Sequence, residues 1–226
     1  MSGVVVAGAT GGCGVTTLAC AIALGHAQGA DRPVLVGTGA CPGGPSDLLG
    51  VPAARTLDDL LPLGDDLRSG HIAQVMHSHA SGLQVIVGPR SPAAAAAWQG
   101  PPLQALVAGI VASGTWVADA GCGGTLLATT LAARADLRVV VVPARVGAVA
   151  HAAGLIEGLG PGHIAVVASP LPAAGDLSVR AMRRALGDLS VIAMPFDRRG
   201  AAAVMAGRVP SGRGLARTVM ELAAGR

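Results

Sequence analysis

The stretch Gly3–Leu18, GVVVAGATGGCGVTTL, constrains the fold most. Val4, Val5 and Val6 are β-branched and consecutive, the pattern of a short strand buried on both faces. Gly8, Gly11, Gly12 and Gly14 follow, so the backbone can turn tightly and converge its N–H groups on an anion. From Val15 the chain reads as a helix with Leu18 and Ile22 on its apolar face. Strand, glycine loop and helix N-terminus together make a phosphate cradle, because unpaired N–H groups and the helix dipole both favour negative charge.

The P-loop pattern G-x-x-x-x-G-K-[ST] requires a lysine where this chain has Val15. No lysine elsewhere can replace it: all 16 basic residues are arginine. With 226 residues, 51% hydrophobic and 13% charged, the chain can bury a core as one α/β domain over 1–226. A net charge of +3, scattered arginines and 1% aromatic residues do not call for a nucleic-acid partner. Cys13, Cys20, Cys41 and Cys122 lack CxxC spacing and read as thiols of a reducing cytosol. No apolar run reaches the ~18 residues of a spanning helix, so a cytoplasmic protein is expected, with at most peripheral membrane contact.

Seven strands are expected, over or near Val4–Val6, Pro33–Val36, Leu83–Gly88, Thr115–Asp119, Leu137–Val142, His163–Ala168 and Ser190–Met194. Helices lie between them, including Ser46–Gly50 with Ser46 as N-cap, Thr56–Leu61, and Asp65–His79. The last carries His71, His77 and His79, which read as a solvated helix end rather than a metal site. The alternation gives a doubly wound, mainly parallel sheet flanked by helices. The C-terminal helix, 213–224, is modestly amphipathic and is expected to pack on its own domain.

Ligands of such sheets sit at the carboxyl ends of the strands, here the loops 8–17, 37–46 and 119–124. In the first, Gly11, Gly12, Cys13, Gly14, Val15, Thr16 and Thr17 are the candidate nucleotide-binding residues. Thr16 can offer a hydroxyl to Mg²⁺, and Asp119, ending a strand, can hold Mg²⁺ directly or through water.

In order along nearly the whole chain, several segments resemble the MinD/ParA class of P-loop ATPases. They are Thr10–Thr17 (TGGCGVTT), PVLV followed by GGPSDLLG, RTLDDLLPL, GLQVIVGP, TWVADAG, LRVVVVPARVGAVAHA and VIAMPFDRRGAAAVMAGRVP. Within the class the similarity is greatest to the CpaE/TadZ branch, including actinobacterial proteins described as septum-site-determining or found in pilus and secretion neighbourhoods. The resemblance implies ATP or ADP with Mg²⁺, a homodimer, and partners such as a pilus or secretion ATPase or division proteins. It also implies recruitment to a pole, septum or membrane-bound machine. The receiver-like domain that often precedes the ATPase domain is not expected here.

Thr10 stands at the class's signature lysine, which reaches across a dimer to the partner's nucleotide, and Val15 at the P-loop lysine. Gly37 and Gly39 stand where the class has Asp-x-Asp, whose first acid helps position water. With these groups missing, no catalytic residue is assigned, and weak nucleotide binding with little or no hydrolysis is expected. Arg145 and Arg198 are the arginines considered as substitutes. Three rival readings remain. Gly8–Gly14 spells the GATGxxG loop of atypical short-chain dehydrogenases, which bind NAD(P), although the chain lacks that chemistry's tyrosine and lysine. A true ATPase of the same class would need the absent lysine. A nucleotide-free scaffold would keep the fold alone.

Overall fold

The computed structural model describes residues 3–29, 32–39, 44–122, 124–169, 177–187 and 189–224. Alternation of valines decides the architecture. Val4 and Val6 of β1 (Gly3–Gly8) enter one apolar core while Val5 and Ala7 enter the other. Val139 and Val141 of β6 (Leu137–Pro143) do the same against Val140 and Val142. A strand buried on both faces needs helices on both, and they are present.

The remaining strands are β2 (Val34–Gly37), β3 (Met76–Ser78), β4 (Gln84–Ile86), β5 (Trp116–Asp119), β7 (Ile164–Ser169) and β8 (Ser190–Ala193). They form a single sheet in the order β3-β4-β2-β5-β1-β6-β7-β8, in which only β3 runs antiparallel to its neighbour. Helices α1 (Val15–His26), α2 (Pro45–Leu49), α8 (Arg198–Met205) and α9 (Leu215–Ala223) bury residues in the core on one face. The opposite core takes α4 (Gly100–Ala112), α5 (Leu126–Ala132), α6 (Val146–Gly158) and α7 (Val179–Leu186), while α3 (Pro92–Ala97) is a short helix ahead of α4. Strands β2 to β5 lie on one side of β1 and β6 to β8 on the other, so the strand order reverses at β1. The crevice at its carboxyl end is where such a sheet receives ligands.

Three local expectations differ from the structure. Residues 65–79 are not one helix: a 3₁₀ helix (Ser69–Val75) leads into strand β3. His77 therefore lies on a strand, and antiparallel pairing to β4 makes it the eighth strand. Ser46 is not the cap of α2, which begins at Pro45 with Gly44 as N-cap. Proline is suited to that first position because it has no N–H to leave unpaired. Thr56 does cap its helix, a 3₁₀ helix over Leu57–Asp66, through a reciprocal box with Asp59. Asp176, an alternative cap for α7, lies outside the described residues, and Ser178 fills that role with its hydroxyl accepting from the Ala181 N–H at 3.2 Å.

The C-terminal helix packs on its own fold, with Leu215, Thr218 and Leu222 buried beside α1. Among the described residues no helix is long and apolar enough to cross a membrane.

Candidate functional site

The glycine loop leaves β1 under tight packing. A Cβ at Gly8 would lie 2.5 Å from Val15 Cγ2 and 2.6 Å from Cys13 Sγ, so the loop folds back on the strand only because that position has no side chain. Gly14 precedes α1 with φ 96°, a left-handed conformation that favours glycine. The loop's start is fastened on both sides: the Gly8 N–H donates to the Gly121 carbonyl, in the loop after β5, at 2.8 Å, and the Ala9 N–H to that of Val141 in β6 at 3.0 Å. Cys13 turns inward, its thiol donating to the Val141 carbonyl at 3.6 Å, and burial pushes that thiol up from its ordinary value.

A cavity of about 450 Å³ opens over the loop, lined by all of Thr10–Thr17 together with Gly121 and Cys122. The seven candidate nucleotide-binding residues thus share one surface, with the Asp119 loop facing them. The side chain at position 15 belongs to the core. Val15 is only 6% exposed and packs in the cluster on the α1 face, so this position supplies no cation to the cradle.

Thr16 and Asp119 are brought into direct contact, the Thr16 hydroxyl donating to the Asp119 carboxylate. Asp119 is 5% exposed, and its Oδ1 also accepts the Gly121 N–H at 3.0 Å. Burial raises its pKa above the ordinary carboxylate value, and these two hydrogen bonds offset that only in part. A buried carboxylate held by a hydroxyl and one N–H, with no basic side chain in an ion pair with it among the described residues, has the donor set that a hard divalent cation satisfies.

Thr38 ties the second loop to this pair, a role sequence reasoning missed. Its N–H and its hydroxyl both donate to the Asp119 carbonyl, at 3.0 and 3.1 Å, and its own carbonyl accepts from the Thr125 hydroxyl at 3.2 Å. The only signal was a threonine one residue beyond the strand. Residues 40–43 of that loop, including Cys41, and Gly123 of the third lie outside the described residues. The absence of an acid at position 37 has a packing reason: a Cβ there would come within 3.1 Å of the Gly88 backbone nitrogen. Position 39 has no such neighbour within 4 Å.

Both arginines considered as substitutes border the loop. Arg145, exposed at the start of α6, lines a recess of about 520 Å³ with Thr10–Cys13 and His151. Arg198 lines a more apolar cavity of about 330 Å³ against Gly12, Cys13, Gly14 and Thr17, its guanidinium 5.6 Å from the Phe196 ring centre. Asp197, also missed from sequence, fixes that wall. Its Oδ1 accepts the Gly200 N–H of α8 at 2.8 Å and its Oδ2 the Leu215 N–H of α9 at 3.0 Å. These bonds, that from Gly200 foremost, hold its carboxyl below the usual range.

The three histidines do not converge. His77 Nε2 lies 2.8 Å from the Arg55 carbonyl, His79 Nδ1 lies 2.8 Å from the Ser81 hydroxyl, and His71 Nδ1 accepts the Arg68 N–H. Among the described residues no group of three or more His, Cys, Asp or Glu side chains is placed to hold a metal ion.

A mostly parallel sheet whose order reverses at β1, with helices on both faces, is shared by solved structures over the full length of the chain. It has the MinD/ParA fold. A ParA family ATPase from Chlorobium tepidum TLS superposes with TM-score 0.77 at 15% identity, over 99% of this chain and 97% of that one. The septum site-determining protein MinD of Pyrococcus horikoshii OT3, solved with Mg-ADP, gives 0.74 at 14% identity, over 99% and 95%. A McdA variant of Cyanothece in complex with ATP gives 0.71 at 20% identity, over 92% and 88%. No protein-family model and no curated relative matches the sequence.

Proposed function

We propose that this chain is a nucleotide-binding positioning or regulatory factor of MinD/ParA type, close to the CpaE/TadZ branch, with little or no ATP hydrolysis. The observation that carries the reading is the Thr16–Asp119 pair beneath the Gly11–Gly14 backbone. Backbone N–H groups of residues 11–17 would receive phosphate oxygens, and Thr16 and Asp119 would hold Mg²⁺, which would neutralise phosphate charge. The apolar cavity beside Phe196 and Met205 suits a nucleobase. The pair is what a magnesium nucleotide needs, and a dinucleotide site of dehydrogenase type has no use for it.

Affinity would be modest. Each charge-assisted hydrogen bond from a lysine to phosphate is worth about 1.5–3 kcal/mol. With Val15 in the core, binding should be about tenfold to a hundredfold weaker than with a lysine. Transition-state charge also goes unmet there, so occupancy rather than turnover would carry the signal. The relatives bound to Mg-ADP or ATP, and the MinC:MinD complex of Aquifex aeolicus, support a nucleotide-tuned surface for partners. By resemblance the partners are a second copy of the chain and a Tad/Flp-type pilus or secretion machine, or the apparatus that places the septum.

Light scattering with Mg-ATP, Mg-ADP and no nucleotide, run beside phosphate release, tests this. The reading predicts a dimer favoured by Mg-ATP with phosphate release near background. Mass unchanged in all three states would leave the scaffold reading, and brisk turnover would make the chain a true ATPase.

A further inference from the structure

The outer edge of β8 is the second feature of the molecule built to receive something. In a parallel ladder a residue sends both its N–H and its C=O to one neighbour, and the next residue sends both to the other side. The Met194 N–H donates to the Ala168 carbonyl of β7 at 2.9 Å. Ile192 and Ser190 therefore also face β7, while Val191 and Ala193 face away. The Arg183 guanidinium confirms that parity by donating to the Val191 carbonyl at 3.0 Å. Among the described residues no strand pairs with this outer side.

That edge is the floor of a groove of about 790 Å³ between α7 and α9. Leu177 and Val179 form an apolar wall beside α7, and Arg213, Arg217 and Glu221 form the wall at α9. Arg217 is paired with Glu221 at 2.7 Å, so with Arg183 the groove keeps a positive excess. A second copy of this chain is a poor occupant. Two-fold pairing of β8 edges would bring both sets of arginines together.

We propose that the β8 edge binds an extended acidic segment of a partner protein, added as a ninth strand. Strand addition supplies affinity through main-chain bonds, here to the N–H and C=O of the exposed Ala193, and specificity through side chains that alternate between two walls. The walls differ, so the segment alternates too, apolar toward Leu177 and Val179, acidic toward Arg213 and Arg217. Four residues of β8 span about 13 Å and engage four or five residues of the partner.

Fluorescence anisotropy of a labelled octapeptide alternating Glu and Val, titrated with the full chain, tests this. Three controls separate the ladder from simple charge attraction: a block peptide of the same composition, the alternating peptide N-methylated at every second residue, and Ala193→Pro, which deletes an N–H that no described strand uses. The expected result is saturable binding of the alternating peptide only, about tenfold weaker with Arg213→Glu and lost with Ala193→Pro. No binding overturns the proposal, as does equal binding of the block or N-methylated peptides. Self-association of the chain that Ala193→Pro abolishes would assign the edge to a second copy instead. If circular dichroism shows Ala193→Pro to be misfolded, the N-methylated peptide decides alone.

Discussion

Val15→Lys asks whether the cradle holds phosphate and lacks only its cation. The valine is buried, with Cγ2 closing over Gly8, so replacing it forfeits about 1.5–3 kcal/mol of apolar burial. Part of that is recovered if the lysine stem follows the same path and its ammonium rises into the cavity above Gly11–Thr17. The gain falls on binding: one or two charge-assisted bonds, about 1.5–3 kcal/mol each, raise ATP affinity about tenfold to a hundredfold. Urea denaturation reads the cost, and titration with a fluorescent ATP analogue reads the gain. Val15→Met, long but uncharged, is the control. The expected outcome is a folded, less stable Lys variant with tighter binding and a Met variant without it. A folded Lys variant with unchanged affinity, or a Met variant that gains equally, would refute phosphate binding at this loop.

Asp119→Asn should raise the melting temperature at pH 7 without nucleotide. The native carboxyl has a raised pKa, so its penalty grows as pH climbs from the ordinary carboxylate value through the folded one; the variant should converge on wild type toward pH 4, and a lower melting temperature at pH 7 would contradict this. Asp197→Ala should cost about 1–2 kcal/mol at pH 7, discounted because the carboxylate is partly solvated. Its pKa is lowered, so the stability it gives is present above the ordinary carboxylate value and fades as pH falls through the folded one; urea curves at pH 7 and pH 3 should show a smaller cost at the latter. Gly39→Asp should fold as wild type while Gly37→Asp unfolds at lower urea, because only position 37 is crowded by Gly88. Thiol labelling should modify Cys122 quickly and Cys13 and Cys20 slowly, with Mg-ATP protecting Cys122, which lines the cradle.

The sheet and the loop at its centre were legible because local signals agreed there: β-branched runs buried on both faces, glycines at the turn, a helix directly after. Asp119 and Thr16 were each readable as facing the crevice because Asp119 ends β5 and Thr16 lies in the first turn of α1. The strand Met76–Ser78 was not legible. Two half-buried residues and an exposed serine, paired to β4, carry no buried run, and the preceding segment mimics a helix. Ser46 was misread as a cap because serine is a common N-cap, whereas Gly44 and Pro45 define the start of α2. Thr38 and the Asp197 bond to Leu215 act through backbone groups distant in sequence, which no local pattern encodes, whereas the Asp197 bond to Gly200 is a local N-cap of α8 that an acid just ahead of that helix could have signalled. The inward turn of Val15 follows from packing against Gly8 and Cys13, also a tertiary fact.

The most direct measurement is titration of the wild-type chain with a fluorescent ATP analogue, with and without Mg²⁺, beside Thr16→Ala and Asp119→Ala. The account predicts saturable, magnesium-dependent binding that both substitutions weaken. No binding up to millimolar nucleotide, or binding indifferent to Mg²⁺ and to both substitutions, would contradict it.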